Sequence, residues 1–420
     1  MGRLHVVGAG VAGLAAALRL SREAAEVVLY EAAGHAGGRC RSFFEPSLDR
    51  DIDNGNHLLL SGNGSARAYL RESGADQTFA TDVPAGFPFV DLQNGDRWTV
   101  RPNAGPIPWW LLVKSRRVAD TRPSEYLSAL RLRRAGPEDT VAALLSATGT
   151  LYRRFWEPLA VAVLNTPPDE AYARLLWPVL LETFAKGAQA CQPMIARTGL
   201  SHSLVDPAIR TLTERGVSIR LGQRLRALDG GSARITALQF AQETVALGPD
   251  DAVVLAVPAS AAAALLPEIS TPQRFCPIVN VHFRLDGAGG ALAPLKFIGV
   301  IGGVAEWIFI RDDIVSVTVS AADAVVQSPA EDIARQTWAD VTRALGREQA
   351  PLPRYKVVKE KRATFAQTPE SERLRPPAQS YYQNLLLAGD WTNTQLPATI
   401  EGAIRSGYRA AELLLADFRQ

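Results

Sequence analysis

The feature that most constrains this chain is a glycine-rich turn between a short apolar segment and an Ala/Leu-rich segment near the start. Leu4 to Val7 predict a buried strand, and Gly8-Ala9-Gly10-Val11-Ala12-Gly13 matches the pattern G-x-G-x-x-G. Residues 14–20 predict a helix, because Ala and Leu are strong helix formers. A second apolar strand, residues 26–30, leads directly to Glu31. Strand, turn, helix, strand and acid in this order form a dinucleotide-binding fingerprint.

Each part of the fingerprint has a physical role. Gly8 permits a tight turn, Gly10 lets the backbone approach a pyrophosphate, and Gly13 lets the helix pack closely on the strand. The pyrophosphate would lie on the free N–H groups at the positive end of the helix. Glu31, 18 residues after Gly13, would accept hydrogen bonds from a ribose hydroxyl.

The residues that follow Glu31 favour FAD over NAD. Gly37-Gly38-Arg39, with Arg41 behind it, can hold the far side of a pyrophosphate–ribityl chain. The whole segment resembles the N-terminal pattern of the monoamine oxidase and phytoene desaturase superfamily of flavoproteins, GxGxxGLxxAxxL…E…GGRxxS. This chain keeps every element of that pattern as far as Ser42.

The C-terminal region resembles the closing motif of the same superfamily. Leu385 to Asp390 (LLLAGD) predict a strand that ends in Gly-Asp, and a helix is predicted from about Thr399. The resemblance implies that Asp390 bonds the ribityl or pyrophosphate region and that the helix start stabilises the anionic reduced flavin. The residues expected to bind FAD are Gly8, Gly10, Val11, Ala12, Gly13, Glu31, Gly38, Arg39, Arg41, Asn56, Leu221, Gly389, Asp390, Thr399, Ile400, Glu401 and Ala403.

Length, charge and cysteine content narrow the class of protein. The chain has 420 residues, of which 47% are hydrophobic, so it can form two or three domains with ample cores. A net charge of +2 gives no global field for nucleic acid, and none is expected as a partner. The three cysteines fit no metal-ligand spacing and favour a reducing compartment. With no signal peptide and no apolar run of about 18 residues, we expect a cytoplasmic protein without a bound metal.

The pattern of strands and helices predicts an α/β fold with two domains. Residues 1–85, 195–260 and 380–420 are expected to form a Rossmann-like FAD-binding domain that is discontinuous in sequence. Residues 86–194 and 261–379 are expected to form an α+β substrate-binding domain. Its helical lid lies within residues 123–190, and β-rich runs between residues 275 and 375 predict its antiparallel sheet.

A consecutive apolar run interrupts the predicted helical part. Trp109, Trp110, Leu111 and Leu112 cannot all face one side of a helix, and Lys114 with two arginines follows them. One interpretation is contact with the inner, anionic face of the cytoplasmic membrane. The other is a loop packed on the helical lid, and the sequence alone does not separate the two.

The chain as a whole resembles the squalene-associated FAD-dependent proteins, the hydroxysqualene dehydroxylase family of bacterial hopanoid synthesis. The resemblance is carried by motifs in three regions of the chain: Asp53-Asn54-Gly55-Asn56-His57, Trp156-Glu157-Pro158-Leu159 with Leu164-Asn165-Thr166, Ala388-Gly389-Asp390-Trp391-Thr392, and Leu396 to Gly407 (LPATIEGAIRSG). It implies reduction of hydroxysqualene to squalene by hydride from flavin N5. It further implies an isoprenoid lipid substrate and an external electron donor, either NAD(P)H or a redox protein.

This chemistry requires an acid that protonates the leaving hydroxyl. His57 is the first candidate and Asp53 the second; the alternative is that they are only a turn cap and a solvent-facing imidazole. Three other functions fit the same fold. These are a desaturase of a carotenoid or other isoprenoid, an amine oxidase, and a non-catalytic flavoprotein that presents lipid to another enzyme.

Overall fold

The structure is a computed structural model, and it describes residues 2–23, 26–80, 83–285, 296–347 and 350–417. The strands, in chain order, are β1 (Leu4–Val7), β2 (Val27–Tyr30), β3 (Ser42–Glu45), β4 (Arg50–Asp53), β5 (Leu59–Leu60), β6 (Phe79–Ala80), β7 (Phe87–Asp91), β8 (Arg97–Val100), β9 (Pro193–Ala196), β10 (Ser218–Arg220), β11 (Leu225–Gly230), β12 (Ile235–Phe240), β13 (Thr244–Ala246), β14 (Ala252–Leu255), β15 (Phe275–Arg284), β16 (Phe297–Ile301), β17 (Trp307–Arg311), β18 (Ile314–Val319), β19 (Arg354–Phe365) and β20 (Leu385–Leu387). The α-helices are α1 (Val11–Leu20), α2 (Gly64–Glu72), α3 (Val141–Leu145), α4 (Glu157–Leu164), α5 (Leu176–Glu182), α6 (Asp206–Glu214), α7 (Ala259–Leu265), α8 (Ala330–Ala344), α9 (Pro369–Arg373) and α10 (Ile400–Asp417).

The N-terminal fingerprint lies at the centre of a parallel sheet with the strand order β10-β2-β1-β14-β20. Leu4 of β1 lies opposite Val27 on one side and Ala252 on the other. β1, β2, β14 and β20 are buried along their whole length, as expected for a parallel sheet that is covered on both faces. Each of the three sequence segments assigned to the FAD-binding domain contributes strands to this sheet.

Helices α1 and α10 pack on this sheet so closely that their contact requires a glycine. A Cβ atom on Gly407 of α10 would lie only 2.0 Å from the carbonyl oxygen of Ala12 in α1. The surrounding residues of α1 are apolar, and Leu14, Ala15 and Leu18 are fully buried. This contact brings the first and last helices together beside the glycine-rich turn.

A second, mostly antiparallel sheet has the strand order β19-β15-β18-β17-β16-β7-β8, with β16 and β7 parallel. One face carries Val279, Val281, Phe283 and Val317, which pack with α8 in one apolar core. The other face changes in character along the sheet. It is polar on β15 and β18 and aromatic from β17 to β8.

The predicted helical lid consists of short helices, not of long amphipathic ones. Residues 123–134 form a 3₁₀ helix, residues 152–156 form a π-helical turn, and α4 and α5 are eight and seven residues long. Their apolar side chains share one core with the aromatic face of the second sheet. Proline at the start of the 3₁₀ helix and at the second position of α4 explains part of this segmentation, because proline is favoured in a first helical turn.

The predicted fold class is confirmed: a Rossmann-like parallel sheet is combined with an α+β part that carries short helices and an antiparallel sheet. The domain boundaries stay predictions. Within the described residues, no helix is long and apolar enough to cross a membrane.

The contact between α1 and α10 generates a stability prediction. Gly407→Ala should lower the free energy of unfolding by about 1–3 kcal/mol, because its methyl group would collide with the backbone of Ala12. Gly64→Ala is the matched control, since a Cβ there meets no atom within 4 Å. Thermal unfolding followed by circular dichroism at saturating FAD checks both. Equal midpoints for the two variants would contradict the prediction.

Candidate active site

The glycine-rich turn has an open space where the sequence predicts a pyrophosphate. Gly8 has φ +106°, and a Cβ there would lie 2.4 Å from the carbonyl oxygen of Ala256. A Cβ on Gly13 would lie 1.8 Å from the carbonyl oxygen of Gly8. At Gly10, in contrast, a Cβ would meet no protein atom within 4 Å. Two of the glycines therefore serve the fold, whereas Gly10 leaves room for a ligand.

The second glycine pair forms the opposite side of this space. The Gly37 N–H donates to the carbonyl oxygen of Ala9 at 2.8 Å, and a Cβ on Gly38 would lie 3.4 Å from the Cα of Gly10. No side chain caps the N-terminus of α1, so the N–H groups of Val11 and Ala12 at its start are available to an anion. An open cradle between two glycine loops at an uncapped helix start fits the pyrophosphate of FAD.

Glu31 lies at the rim of the cradle, at the end of β2. Its two carboxylate oxygens each accept a backbone N–H at 2.8 Å, one from Ala9 and the other from Ala33. The Glu31 N–H donates to the carbonyl oxygen of Arg220 at 2.9 Å. Leu221, the residue after Arg220, is 42% exposed. The acid and the backbone of the neighbouring strand therefore lie together, where the fingerprint places a ribose and the adenine.

Arg39 and Asp390 meet across the cradle, although 351 residues separate them in sequence. The Arg39 guanidinium donates to the buried Asp390 carboxylate at 2.7 Å. The Asp390 charge raises the pKa of Arg39. Gly389, with φ +141°, donates its N–H to Ser406 Oγ at 2.7 Å, which fixes the loop against α10.

The N-terminus of α10 is held by its own side chains. Thr399 Oγ1 accepts the Gly402 N–H at 3.2 Å, which satisfies one free group of the first turn. The Glu401 carboxylate accepts the N–H groups of Ser65 and Ala66 at 3.0 and 2.8 Å, so it caps α2. The Ala403 N–H donates to the carbonyl oxygen of Thr399 at 2.9 Å. Contact of Ile400, Glu401 and Ala403 with FAD stays a prediction.

Two other predicted FAD-binding residues have partners within the protein. Arg41 contacts His35 Nε2 at 3.0 Å and lies over the ring of Phe43. Asn56 donates to Thr318 Oγ1 at 3.1 Å and to Asn280 Oδ1 at 3.3 Å, both on the second sheet. Asn56 thus ties the loop after β4 to the antiparallel sheet, and its contact with FAD stays a prediction.

Asp53 is fully engaged with other groups. One carboxylate oxygen accepts from Ser42 Oγ at 2.6 Å and from the Leu200 N–H at 2.8 Å. The other forms an ion pair with Arg311 of β17 at 2.8 Å. Both oxygens of this buried carboxylate are therefore occupied by donors of the protein. The geometry therefore favours a positioning role over the predicted role as proton donor.

His57 lies next to the polar part of the second sheet. A Cβ on Gly55 would lie 3.7 Å from His57 Nε2 and 3.3 Å from Asn280 Nδ2, so the two side chains flank one small space. Within the described residues the imidazole forms no hydrogen bond, and burial lowers its pKa to about 4. The nearby Asp53 charge raises this pKa and Arg39 lowers it, but neither outweighs burial. At neutral pH the ring is uncharged.

The sequence analysis missed a polar group that completes this side of the site. Asn280 is 1% exposed, accepts from Thr318 Oγ1 at 2.9 Å and donates to the carbonyl of Asn54 at 3.3 Å. The signal was present, because Asn280 and His282 alternate with valine and phenylalanine in the run IVNVHFRL. Polar residues with a period of two inside a buried strand mark a face that meets a polar partner.

Glu306 is a second residue that the sequence analysis missed. It directly precedes β17, and one carboxyl oxygen accepts the Ser320 N–H at 2.7 Å. Burial, with a smaller contribution from the negative charge of Glu157 on α4, raises its pKa to about 7, although the hydrogen bonds from Ser320 lower it. A carboxyl group that keeps its proton near neutral pH can act as an acid.

An aromatic wall continues from this polar group across the second sheet. Trp307 lies opposite Thr318 in the strand register, and its ring centroid is 5.4 Å from that of Phe89. Leu58 and Leu60, which follow His57, pack against the same apolar core. The wall is formed by Phe87, Phe89, Trp98, Phe297, Trp307 and Phe309. Phe87, Phe89, Trp98 and Phe297 are buried in the core shared with the short helices. Trp307 and Phe309 are partly exposed, and their side of the wall suits a hydrocarbon rather than a polar substrate.

The described residues include no cluster of His, Cys, Asp or Glu side chains that could hold a metal ion. Cys40, Cys191 and Cys276 are buried and unpaired.

Comparison with known proteins identifies the family. Residues 11–415 match the family described as Flavin containing amine oxidoreductase. Hydroxysqualene dehydroxylase of Sinorhizobium fredii is 46% identical over 414 residues, which cover 99% of this chain and 98% of that protein. The protein of the same name from Zymomonas mobilis is 41% identical over 412 residues, 98% of this chain and 99% of its own. The chain belongs to the hydroxysqualene dehydroxylase family. As a member of the family, it is an FAD-dependent oxidoreductase.

A solved structure agrees at the level of the fold. Cyclohexylamine oxidase from Brevibacterium oxydans superposes with a TM-score of 0.73 at 15% sequence identity and covers all of both chains. At this identity the likeness shows the fold alone.

The space at Gly10 generates a binding prediction for this member of the hydroxysqualene dehydroxylase family. Gly10→Val should fold, because the backbone there is extended (φ −71°, ψ 173°) and a Cβ meets no protein atom. It should lose FAD, since the side chain would occupy the pyrophosphate position. The ratio of flavin to protein absorbance and the circular dichroism spectrum check both points. Gly231→Val, at another open glycine, is the control. A fully loaded Gly10→Val protein would refute the assignment of the cradle.

Proposed function

We propose that this protein reduces hydroxysqualene to squalene in squalene and hopanoid biosynthesis, with hydride delivered from N5 of reduced FAD. The relatives at 41–46% identity over nearly the whole chain carry the name of this activity. The aromatic wall next to the polar group of Asn280, Thr318 and His57 supports the proposal. The partly exposed Trp307 and Phe309 of the wall offer an apolar surface for the isoprenoid chain, and the polar group beside them can face the hydroxyl.

The reaction breaks the C–O bond of an allylic alcohol. The hydroxyl takes a proton and leaves as water, and the same carbon receives a hydride. Reduced FAD, when bound in the cradle, supplies that hydride. The protein must hold the reacting carbon close to the flavin, exclude water and deliver one proton.

His57 remains our first candidate for the proton donor, because it is the titratable group between the cradle side and the apolar wall. Its low pKa makes the charged form scarce at neutral pH but also makes that form a strong acid. Glu306 is the alternative, with a carboxyl that is half protonated near pH 7. Asp53 ranks behind both because its oxygens are already engaged.

An external donor must reduce the flavin before each turnover. Within the described residues, one parallel sheet carries one glycine fingerprint. In the proposal, FAD occupies this fingerprint. We propose that NAD(P)H reaches the flavin directly or that a redox protein supplies the electrons. We further propose peripheral contact with the inner face of the cytoplasmic membrane, where a squalene-like substrate resides.

The structure corrects one part of the predicted membrane contact. Trp110 is only 4% exposed, and its ring packs edge-on against Tyr126 at 5.7 Å, so it belongs to the core of the helical part. Trp109 and Leu112 are 46% and 72% exposed and remain available to a membrane. Leu111 is partly buried against the same core.

An anaerobic single-turnover experiment tests the proposed function. The flavin is photoreduced, hydroxysqualene is added, and flavin reoxidation is followed together with squalene formation. We expect reoxidation with stoichiometric squalene, and the oxidised protein should not be bleached by phytoene. Bleaching by phytoene without reoxidation by hydroxysqualene would transfer the assignment to a desaturase, a class that includes a relative at 21% identity.

The pH dependence of the same reaction identifies the acid. A proton from His57 requires the charged ring, so the rate should fall about tenfold per pH unit above about pH 4, and His57→Ala should abolish this slope. A proton from Glu306 would instead give a constant rate up to about pH 7 and a fall above it, which Glu306→Gln would remove. His202→Gln, at an exposed histidine, is the control. If both variants keep the wild-type rate, and if this rate does not vary with pH, both assignments are contradicted.

A further inference from the structure

The 3₁₀ helix of residues 123–134 has three distinct rows of side chains. Because a 3₁₀ helix has three residues per turn, positions three apart share a face. Tyr126 and Leu132 form the inner row and are buried, with Ala129 between them. Leu127 and Leu130 continue the next row and are 61% and 57% exposed. Runs of this length are uncommon for 3₁₀ helices, so this one presents an unusual apolar outer edge.

A second exposed apolar segment lies beside this helix. Ile107 is 75% exposed, Leu112 is 72% exposed and Trp109 is 46% exposed. The Arg116 guanidinium lies 5.0 Å from the centre of the Trp109 ring, so a cation sits directly on the exposed indole.

Buried contacts hold the two segments together as one surface. The rings of Trp110 and Tyr126 pack at 5.7 Å, and the Val118 N–H donates to the Tyr126 hydroxyl at 3.0 Å. Arg117 donates to the carbonyl oxygens of Leu111 and Thr121. The docking surface is hereafter the exposed side chains of both segments: Ile107, Trp109, Leu112, Lys114, Leu127, Leu130, Arg131, Arg133 and Arg134.

Positive charge is concentrated around this surface. Residues 107–134 contain seven lysines and arginines and two acidic residues, a net charge of +5, whereas the whole chain carries +2. Both acids are engaged: Asp120 pairs with Arg154 at 3.7 Å, and Glu125 accepts the Arg122 N–H at 2.8 Å. Within the described part of the chain, Lys114, Arg133 and Arg134 form no ion pair.

We propose that the docking surface lies on an anionic lipid bilayer, with its leucines and Trp109 among the headgroups and acyl chains. This inference rests on the proposed function, whose membrane contact it extends from Trp109 and Leu112 to the 3₁₀ helix. Exposed apolar side chains rimmed by arginines match the apolar boundary and the negative charge of such a membrane. A pocket beside this surface is lined by Pro106, Arg67 and Lys186, and the last two add positive charge next to the docking surface.

Sedimentation of the FAD-loaded full chain with vesicles tests the proposal. We compare vesicles of phosphatidylcholine alone with vesicles that are half phosphatidylglycerol. Wild type should bind the anionic vesicles, and 0.5 M salt should weaken the binding. Arg131→Gln/Arg133→Gln/Arg134→Gln and Leu127→Ser/Leu130→Ser should each lower the partition coefficient by about tenfold or more.

Two control variants change exposed arginines and exposed hydrophobic side chains outside the docking surface. Arg224→Gln/Arg226→Gln changes two exposed arginines, and Phe44→Ser/Tyr381→Ser changes side chains that are 56% and 74% exposed. Both should bind vesicles as wild type does. Single-turnover reduction of detergent-dispersed hydroxysqualene should be unchanged in every variant, which separates this test from that of the proposed function.

Two results would overturn the proposal. The first is equal vesicle binding by wild type and both surface variants. The second is a change in molar mass of Leu127→Ser/Leu130→Ser, measured by light scattering, without a change in vesicle binding, because a second copy of the chain would then be the occupant.

Discussion

The close approach of the first and last helices at the glycine-rich turn is the constraint on which the rest of the structure depends. Gly13 lets α1 lie against the turn at Gly8, and Gly407 lets α10 lie against α1. Only with both contacts in place do the uncapped start of α1, the loop of Gly37 and Gly38, and the Arg39–Asp390 pair meet in one cradle. Segments nearly 400 residues apart in sequence are thus brought together at one cradle.

The cradle is joined to the second sheet by polar contacts from a single loop. Asp53 pairs with Arg311, and Asn56 bonds Thr318 and Asn280. These contacts place His57 where the polar face of the sheet gives way to the aromatic wall. Burial there lowers the pKa of His57 and raises the pKa of Glu306, because a low-polarity environment disfavours the charged form of each. The same apolar surroundings therefore make protonated His57 a stronger acid and keep Glu306 protonated to a higher pH.

The cofactor half could be predicted from the sequence because its determinants are local. A glycine pattern between a strand and a helix specifies backbone geometry directly, and the parallel sheet contains the predicted strands. The substrate half depends on which side chains meet across distant strands. Asn280 becomes meaningful only once β15 lies beside β18, and Glu306 only once it is buried near Glu157. The sequence pattern indicated that polar and apolar residues alternate on β15, but it did not indicate that β18 lies beside this strand.

The run at Trp109 and Trp110 shows why exposure cannot be read from hydrophobicity alone. Two adjacent tryptophans point to opposite sides of a short 3₁₀ turn, one into the core beside Tyr126 and the other to the surface under Arg116. The longer 3₁₀ helix repeats this division with its period of three and exposes Leu127 and Leu130 between arginines. In an α-helix, residues three apart would also share a face but would be offset by about 60°, whereas the period of three places Leu127 and Leu130 directly in line. The 3₁₀ geometry therefore aligns an apolar outer edge that the residue order already provides.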